Sequence, residues 1–154
     1  MSIWFLINII VFLLFTWKFY QSTLMPHIII GGIAFCFILF NWTRHAVFST
    51  LRSKISRKRK IFFAKISKKV LPFHKWIGTT AYLLVCIHAF MVIQRYGFQF
   101  SNLKILSGSI ALLIISFVVL TGWWRLFRPS YPMRIAHLVF DFSLFTFIVL
   151  HVFL

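Results

Sequence analysis

Five long apolar stretches constrain this chain more than any other feature of its sequence. Each is close to the roughly 20 residues that a helix needs to cross the hydrocarbon core of a bilayer. They extend from about Ile3 to Phe19, Pro26 to Phe48, Leu71 to Ile93, Ile105 to Trp124 and Arg134 to Leu154. Pro26, Pro72 and Pro132 lie at or just before predicted helix starts, where a missing N–H costs little. The pattern predicts an all-α integral membrane bundle of about five transmembrane helices, in a single domain over residues 1–154.

The composition excludes a water-soluble domain, because 61% of the 154 residues are hydrophobic and too little polar surface remains. Seventeen Lys and Arg accompany a single acid, Asp141. These bases lie between apolar stretches, so no nucleic-acid partner is expected. Cys36 and Cys86 lie within apolar stretches without a CxxC pattern and are expected to be small buried side chains. The first stretch lacks a basic start and a cleavage pattern, which favours a retained helix over a signal peptide.

The longest connection, residues 49–70, is strongly basic. Its segment LRSKISRKRKIFFAKISKK, at positions 51–69, carries nine Lys and Arg and no acid. Basic loops are retained on the cytoplasmic side, which predicts a multi-pass protein of the cell membrane with its N-terminus cytoplasmic and its C-terminus outside. The part RKIFFAKISKKV alternates bases with apolar residues. It is expected either to form an amphipathic helix on anionic membrane lipid or to be the landing site of an acidic flavoprotein.

Two pairs of histidines share one spacing. His74 and His88 are fourteen residues apart on the third stretch, and His137 and His151 are fourteen apart on the fifth. At about 100° and 1.5 Å per residue, each pair lies on nearly one helix face, with its members about 21 Å apart along the axis. The third and fifth helices run in the same direction, since one helix separates them. The first histidines therefore share one depth and the second histidines another.

Facing imidazoles at two depths suit two haem groups. Neutral imidazole is a good axial ligand of haem iron, and a bis-histidine iron is suited to electron transfer rather than to oxygen binding. Two such haems, one above the other, predict an electron path across the bilayer.

The segments HKWIG and CIHAF on the third helix, with RIAH and VLHVF on the fifth, resemble the ferric reductase-like transmembrane family. That family includes the membrane parts of ferric reductases and NADPH oxidases and the haem subunit of sulfoxide-reductase systems. The resemblance covers roughly residues 26–154. It implies that His74 and His137 ligate an inner haem b and that His88 and His151 ligate an outer one. The family pattern has six spans and often a flavin and nicotinamide domain, whereas five spans and no such domain are expected here.

Several other residues have two readings. Gly78 lies one turn from His74 and either admits a haem or packs helices closely. Lys75 and Arg134 near the inner haem, and Arg95 near the outer side, suit haem propionates or snorkelling to the membrane surface.

Asp141 lies one turn past His137, and four interpretations of its role are open. It is a partner of that ligand, a proton acceptor, a salt-bridge mate, or a protonated carboxyl between helices. His27 and His45 lack partners of matching spacing and are expected to be interfacial, with contact of His45 to a quinone or a haem edge left open.

The sequence thus predicts a di-haem b-type cytochrome that transfers electrons from a cytoplasmic-side donor, a quinol or a separate flavoprotein, to an outer-side acceptor. It would be an electron-transfer subunit without its own flavin and nicotinamide domain. One rival is a haem-free assembly factor or small transporter subunit whose histidines are structural or carry protons. A third interpretation is that the protein binds only one haem, because His151 lies three residues from Leu154 and the last turn of a helix frays.

Overall fold

The computed structural model describes residues 3–154, so Met1, Ser2 and the predicted cytoplasmic N-terminus lie outside the described residues. The described chain contains five helices and no strand. They are α1 (Ile3–Gln21), α2 (Pro26–Arg52), α3 (Arg57–Tyr96), α4 (Leu103–Phe127) and α5 (Tyr131–Phe153). All five are long and apolar enough to cross a membrane, which confirms the predicted all-α architecture with five spanning helices.

Local sequence explains where these helices begin and end. Pro26 occupies the first turn of α2, where its fixed φ suits a helix start. The side chain of Asn102 caps α4 by accepting hydrogen bonds from the N–H groups of Lys104 and Ile105. Helix α3 ends at Gly97, whose φ of 71° lies in the left-handed region that glycine adopts without strain.

Helix α3 overturns the predicted loop over residues 49–70. It begins at Arg57 rather than near residue 71, and only residues 53–56 separate it from α2. Lys and Arg are good helix formers, and no Gly or Pro interrupts residues 57–71. Pro72, expected near the helix start, lies well inside the helix, where its missing N–H removes one backbone hydrogen bond.

The length of α3 exceeds what a bilayer core requires. Forty residues extend about 60 Å, roughly twice the hydrocarbon thickness. The first part of the helix carries seven Lys and Arg and therefore lies outside the hydrocarbon. The ring of Phe63 in this part lies 6.3 Å from that of Phe5, so the basic part of α3 approaches the start of α1.

Neighbouring helices pack in antiparallel pairs. Helix α2 packs along α3, α3 along α4, and α4 along α5, whereas α1 covers part of α2. The backbones of α3 and α5 are further apart, since no Cα of one lies within 8 Å of a Cα of the other. The two helices that carry the paired histidines therefore meet only through their side chains.

An apolar cluster occupies the middle of the bundle. Its buried members are Ala111, Ile115 and Leu144, and side chains of α3 such as Val85 pack against them. On α3 and α5 these residues lie between the two histidines of each pair. On α4, Ala111 and Ile115 lie between Gly108 and Gly122. The cluster thus separates two polar levels of the bundle, which we call the first level (His74 and His137) and the second level (His88 and His151).

Candidate functional site

The second level brings two imidazole rings together with their planes nearly perpendicular. The ring centroids of His88 and His151 lie 6.1 Å apart with an interplanar angle of 82°. His88 Nδ1 lies 2.7 Å from the backbone carbonyl oxygen of His27, and His151 Nδ1 lies 2.9 Å from that of Lys104. A carbonyl only accepts hydrogen bonds, so Nδ1 carries the proton in both neutral rings. The lone pair of each ring therefore resides on Nε2.

Two glycines permit this arrangement. A Cβ atom on Gly31 would lie 2.9 Å from Nδ1 of His88, and one on Gly108 would lie 2.8 Å from Cε1 of His151. Side-chain atoms do not tolerate such distances, so any larger residue would displace the ring. Glycine at these positions lets each imidazole approach the backbone of the neighbouring helix, where its carbonyl partner lies.

At the first level, His74 is held by the side chain of Asn41. The amide Nδ2 of Asn41 donates to the backbone carbonyl of His74 over 3.2 Å, and this bond fixes the orientation of the amide. Its Oδ1 then faces His74 Nδ1 at 3.1 Å and accepts that proton. A Cβ on Gly78 would lie 3.1 Å from Asn41 Nδ2, so Gly78 provides room for Asn41. The space beside Gly78 is thus occupied by an amide that holds the histidine.

His137, the other first-level histidine, is held by Thr121. The Thr121 hydroxyl lies 3.0 Å from His137 Nδ1 and also lies within hydrogen-bond distance of the carbonyls of Phe117 and Val118. Since the hydroxyl donates its single proton to a carbonyl, its oxygen accepts from His137. A Cβ on the adjacent Gly122 would lie 3.2 Å from His137 Cε1.

All four histidines therefore share one chemical state. Each bonds its Nδ1 to an acceptor on a neighbouring helix, and none forms a hydrogen bond through Nε2 within residues 3–154. A hydrogen bond that fixes the tautomer and orients the ring is the usual support of a metal-ligating histidine. All four histidines therefore have the hydrogen bond that usually supports a metal-ligating histidine.

The number of ligands at each level also restricts the possible cofactor. No group of three or more His, Cys, Asp or Glu side chains able to hold a metal ion occurs in the described part of the chain. A bare zinc ion usually takes three or four protein ligands. Each level supplies two histidines.

Asp141 forms an ion pair with His45. Its Oδ2 lies 2.6 Å from Nε2 of His45, which joins α5 to α2. This contact fits two of the alternatives for Asp141, a salt-bridge mate and a carboxyl hydrogen-bonded between helices. His45, expected to be interfacial, packs its ring against Trp42 and Phe142. Because its Nε2 bonds the carboxylate, His45 differs from the four paired histidines.

The predicted basic residues lie at the edge of the bundle. Lys75 is exposed, with its Nζ 5.4 Å from the ring centroids of both Trp76 and Trp123. Arg134 is exposed at the start of α5, and Arg95 lies over the ring of Tyr96. His27, expected to be interfacial, is buried and packs its ring against His88 and Tyr96.

The two cysteines do not form a disulfide, and Cys36, expected to be buried, is exposed. Its position on α2 directs it outward, which periodicity within a wholly apolar stretch does not reveal.

Sequence reasoning missed Asn41, Thr121, Gly31, Gly108 and Gly122. The sequence contained a signal for two of these residues. Gly108 and Gly122 are fourteen residues apart, as are the histidines that pack against them. Asn41 likewise follows His27 by fourteen residues, and α2 supplies an acceptor for α3 at both positions.

Comparisons with family models, with curated proteins and with solved structures find no match to this chain.

Proposed function

We propose that this protein is a membrane cytochrome that holds two b-type haems and transfers electrons across the bilayer. The observation that carries the proposal is the common state of the four paired histidines, each with Nδ1 bonded and Nε2 without a hydrogen bond. Haem iron, when bound, supplies the one-electron chemistry. The chain supplies ligation, spacing and the surrounding electrostatics.

The second level meets the distance requirement of bis-histidine ligation. Two imidazole nitrogens that share a metal at about 2.0 Å each lie about 4 Å apart, which places the ring centroids about 6 Å apart. The 6.1 Å between the rings of His88 and His151 agrees with this value. The separation of the α3 and α5 backbones, whose Cα atoms are nowhere within 8 Å of each other, is compatible with a cofactor held between them.

The chain separates the two levels by about 21 Å along the helix axis, the rise of fourteen residues. Between them lie Ala111, Ile115 and Leu144, which exclude water from the middle of the bundle. A proton or a hydrated ion has no polar path through this layer, whereas an electron can tunnel through it. The arrangement favours transfer of electrons alone.

The proposed direction follows the charge of the protein. The basic first part of α3 favours the cytoplasmic side, so His74 and His137 hold the inner haem and His88 and His151 the outer one. The resemblance to the ferric reductase-like transmembrane family supports the same assignment. The donor is a quinol or a separate flavoprotein that docks at the basic segment, and the acceptor lies outside.

The test is haem content, resolved by histidine. We expect the purified protein to give a b-type pyridine haemochrome with about two haems per chain. His74→Leu and His137→Leu should each remove the same redox step, and His88→Leu and His151→Leu the other. Tyr20→Leu, at a residue that is 85% exposed on α1, is the control and should keep both haems.

Protein without haem, purified from haem-replete cells, would contradict the proposal and favour a haem-free role. Loss of one and the same haem in His74→Leu and His151→Leu would contradict the pairing by level.

A further inference from the structure

Two arginines differ from the other bases of the chain. Fourteen of the seventeen Lys and Arg are exposed, and the exceptions are Arg44, Lys60 and Arg125. Lys60 lies in the basic first part of α3. Arg44 and Arg125 are half-buried within the spanning helices α2 and α4, where an uncompensated charge is costly.

Both arginines lie at the first level of the bundle. Arg44 is three residues after Asn41, which holds His74, and Arg125 is four residues after Thr121, which holds His137. Residues three or four apart share a helix face, so each arginine lies one turn beyond the residue that holds a histidine.

No acidic side chain within residues 3–154 forms an ion pair with either of these two positive charges. Neither arginine forms an ion pair or a hydrogen bond through its side chain within residues 3–154, although Arg44 lies over the ring of Phe48 at 5.4 Å. The only acid of the chain, Asp141, is engaged by His45 at 2.6 Å. Two half-buried positive charges at one site favour the binding of an anion that neutralises both.

We infer that Arg44 and Arg125 bind the propionate carboxylates of the haem at the first level. This inference rests on the proposed function. Guanidinium pairs with carboxylate through two parallel hydrogen bonds, and the two arginines flank the two histidines that face this haem. They take the place of Lys75 and Arg134, the residues that sequence reasoning suggested. Lys75 and Arg134 are exposed on the outside of the bundle, where bases commonly contact lipid phosphate.

The test compares Arg44→Gln and Arg125→Gln with Arg128→Gln, an exposed arginine one turn beyond Arg125 that serves as the matched control. Redox titration of the purified holoprotein reports both haems in one sample. We expect the first-level step to move to lower potential, or to be lost with its haem, because the propionates lose their positive partners. The second-level step should stay unchanged and shows that the bundle is folded. Arg44→Lys should restore much of the shift, since a positive charge is retained.

Infrared difference spectra of haem labelled with ¹³C in its propionate carboxylates identify the anion. We expect the carboxylate bands to shift in Arg44→Gln and Arg125→Gln and to stay in place in Arg128→Gln. Two haems per chain with an unmoved first-level step and unmoved carboxylate bands would overturn the inference and leave the proposed function intact. Accompanying loss of co-purified anionic lipid would assign the site to lipid phosphate. Wild-type protein without haem would instead overturn the proposed function itself.

Discussion

At the scale of single residues, the acceptor bonded to each imidazole differs between the two levels. Both second-level histidines donate to backbone carbonyls, which hold their place as long as the helices do. The first-level histidines donate to side chains, the amide of Asn41 and the hydroxyl of Thr121. A hydroxyl that already donates to a carbonyl is held less firmly than a backbone group. A single substitution can therefore remove the hydrogen-bond acceptor of a first-level histidine, but not that of a second-level histidine.

Thr121→Val tests this difference, because valine keeps the shape of threonine and removes the acceptor. Without that acceptor the Nδ1–H of His137 is left unbonded and the ring becomes a weaker ligand, so haem should be held about 10–100-fold more weakly at the first level. The first-level redox step should also move to higher potential, since a less basic ligand stabilises ferric iron less. Redox titration and haem retention during dilution measure both effects.

Thr146→Val is the control for this substitution. Thr146 is exposed on α5, and its hydroxyl bonds only the carbonyl of Phe142 in its own helix. A first-level step that stays in place in Thr121→Val would show that the hydroxyl does not tune the ligand.

At the scale of helices, glycines decide how closely α4 approaches α5. Gly108 and Gly122 lie on one face of α4, and each has a histidine ring of α5 where its Cβ would be. The contact at Gly108 is the tighter of the two, at 2.8 Å against 3.2 Å to the nearest ring atom. The two positions should therefore differ in their tolerance of a methyl group.

Gly108→Ala should displace the His151 ring and remove most of the second-level haem, while the first level keeps its own. Gly122→Ala should act on the first level and more mildly, because a shift of a few tenths of an ångström relieves its contact. Haem content and the two redox steps of each variant measure the outcome. Ser109→Ala, next to Gly108 and bonded only within its own helix, serves as the control. Equal loss of both haems in Gly108→Ala would indicate general unfolding and would contradict a local role.

At the scale of the whole molecule, charge sets the orientation in the membrane. The bases of the first part of α3 and of the turn after α4 lie on one side of the bundle, and few bases lie on the other. Bases stay on the cytoplasmic side because their translocation is unfavourable. The first level lies nearer to this side and, under the proposed function, receives the electrons first.

Cysteine labelling tests the orientation. In a Cys36→Ser, Cys86→Ser background, one variant carries Lys54→Cys between α2 and α3, and another carries a cysteine added after Leu154. We expect a membrane-impermeant thiol reagent to label the added C-terminal cysteine in intact cells and to reach position 54 only after permeabilisation. Labelling with the opposite pattern would invert the orientation and exchange the inner and outer levels.

The sequence by itself determined the features that depend on one helix at a time. Hydropathy is a local property, so five apolar stretches predicted five spanning helices, and these are confirmed. The periodicity of a helix likewise placed His74 and His88 on one face, as it did His137 and His151. A helix over residues 59–70 was one of two alternatives, but its continuation into the spanning part of α3 escaped prediction, because hydropathy does not distinguish a basic helix from a basic loop.

Only the tertiary structure decided which groups meet across helices. That Asn41 holds His74, that Thr121 holds His137 and that His45 pairs with Asp141 depend on the rotation and register of neighbouring helices. The close approach at the glycines sets this register, and it is a property of two surfaces rather than of one segment. The position of Arg44 and Arg125 beside the first level follows from the same register. Residues far apart in the chain form the site, and no local pattern records their distances.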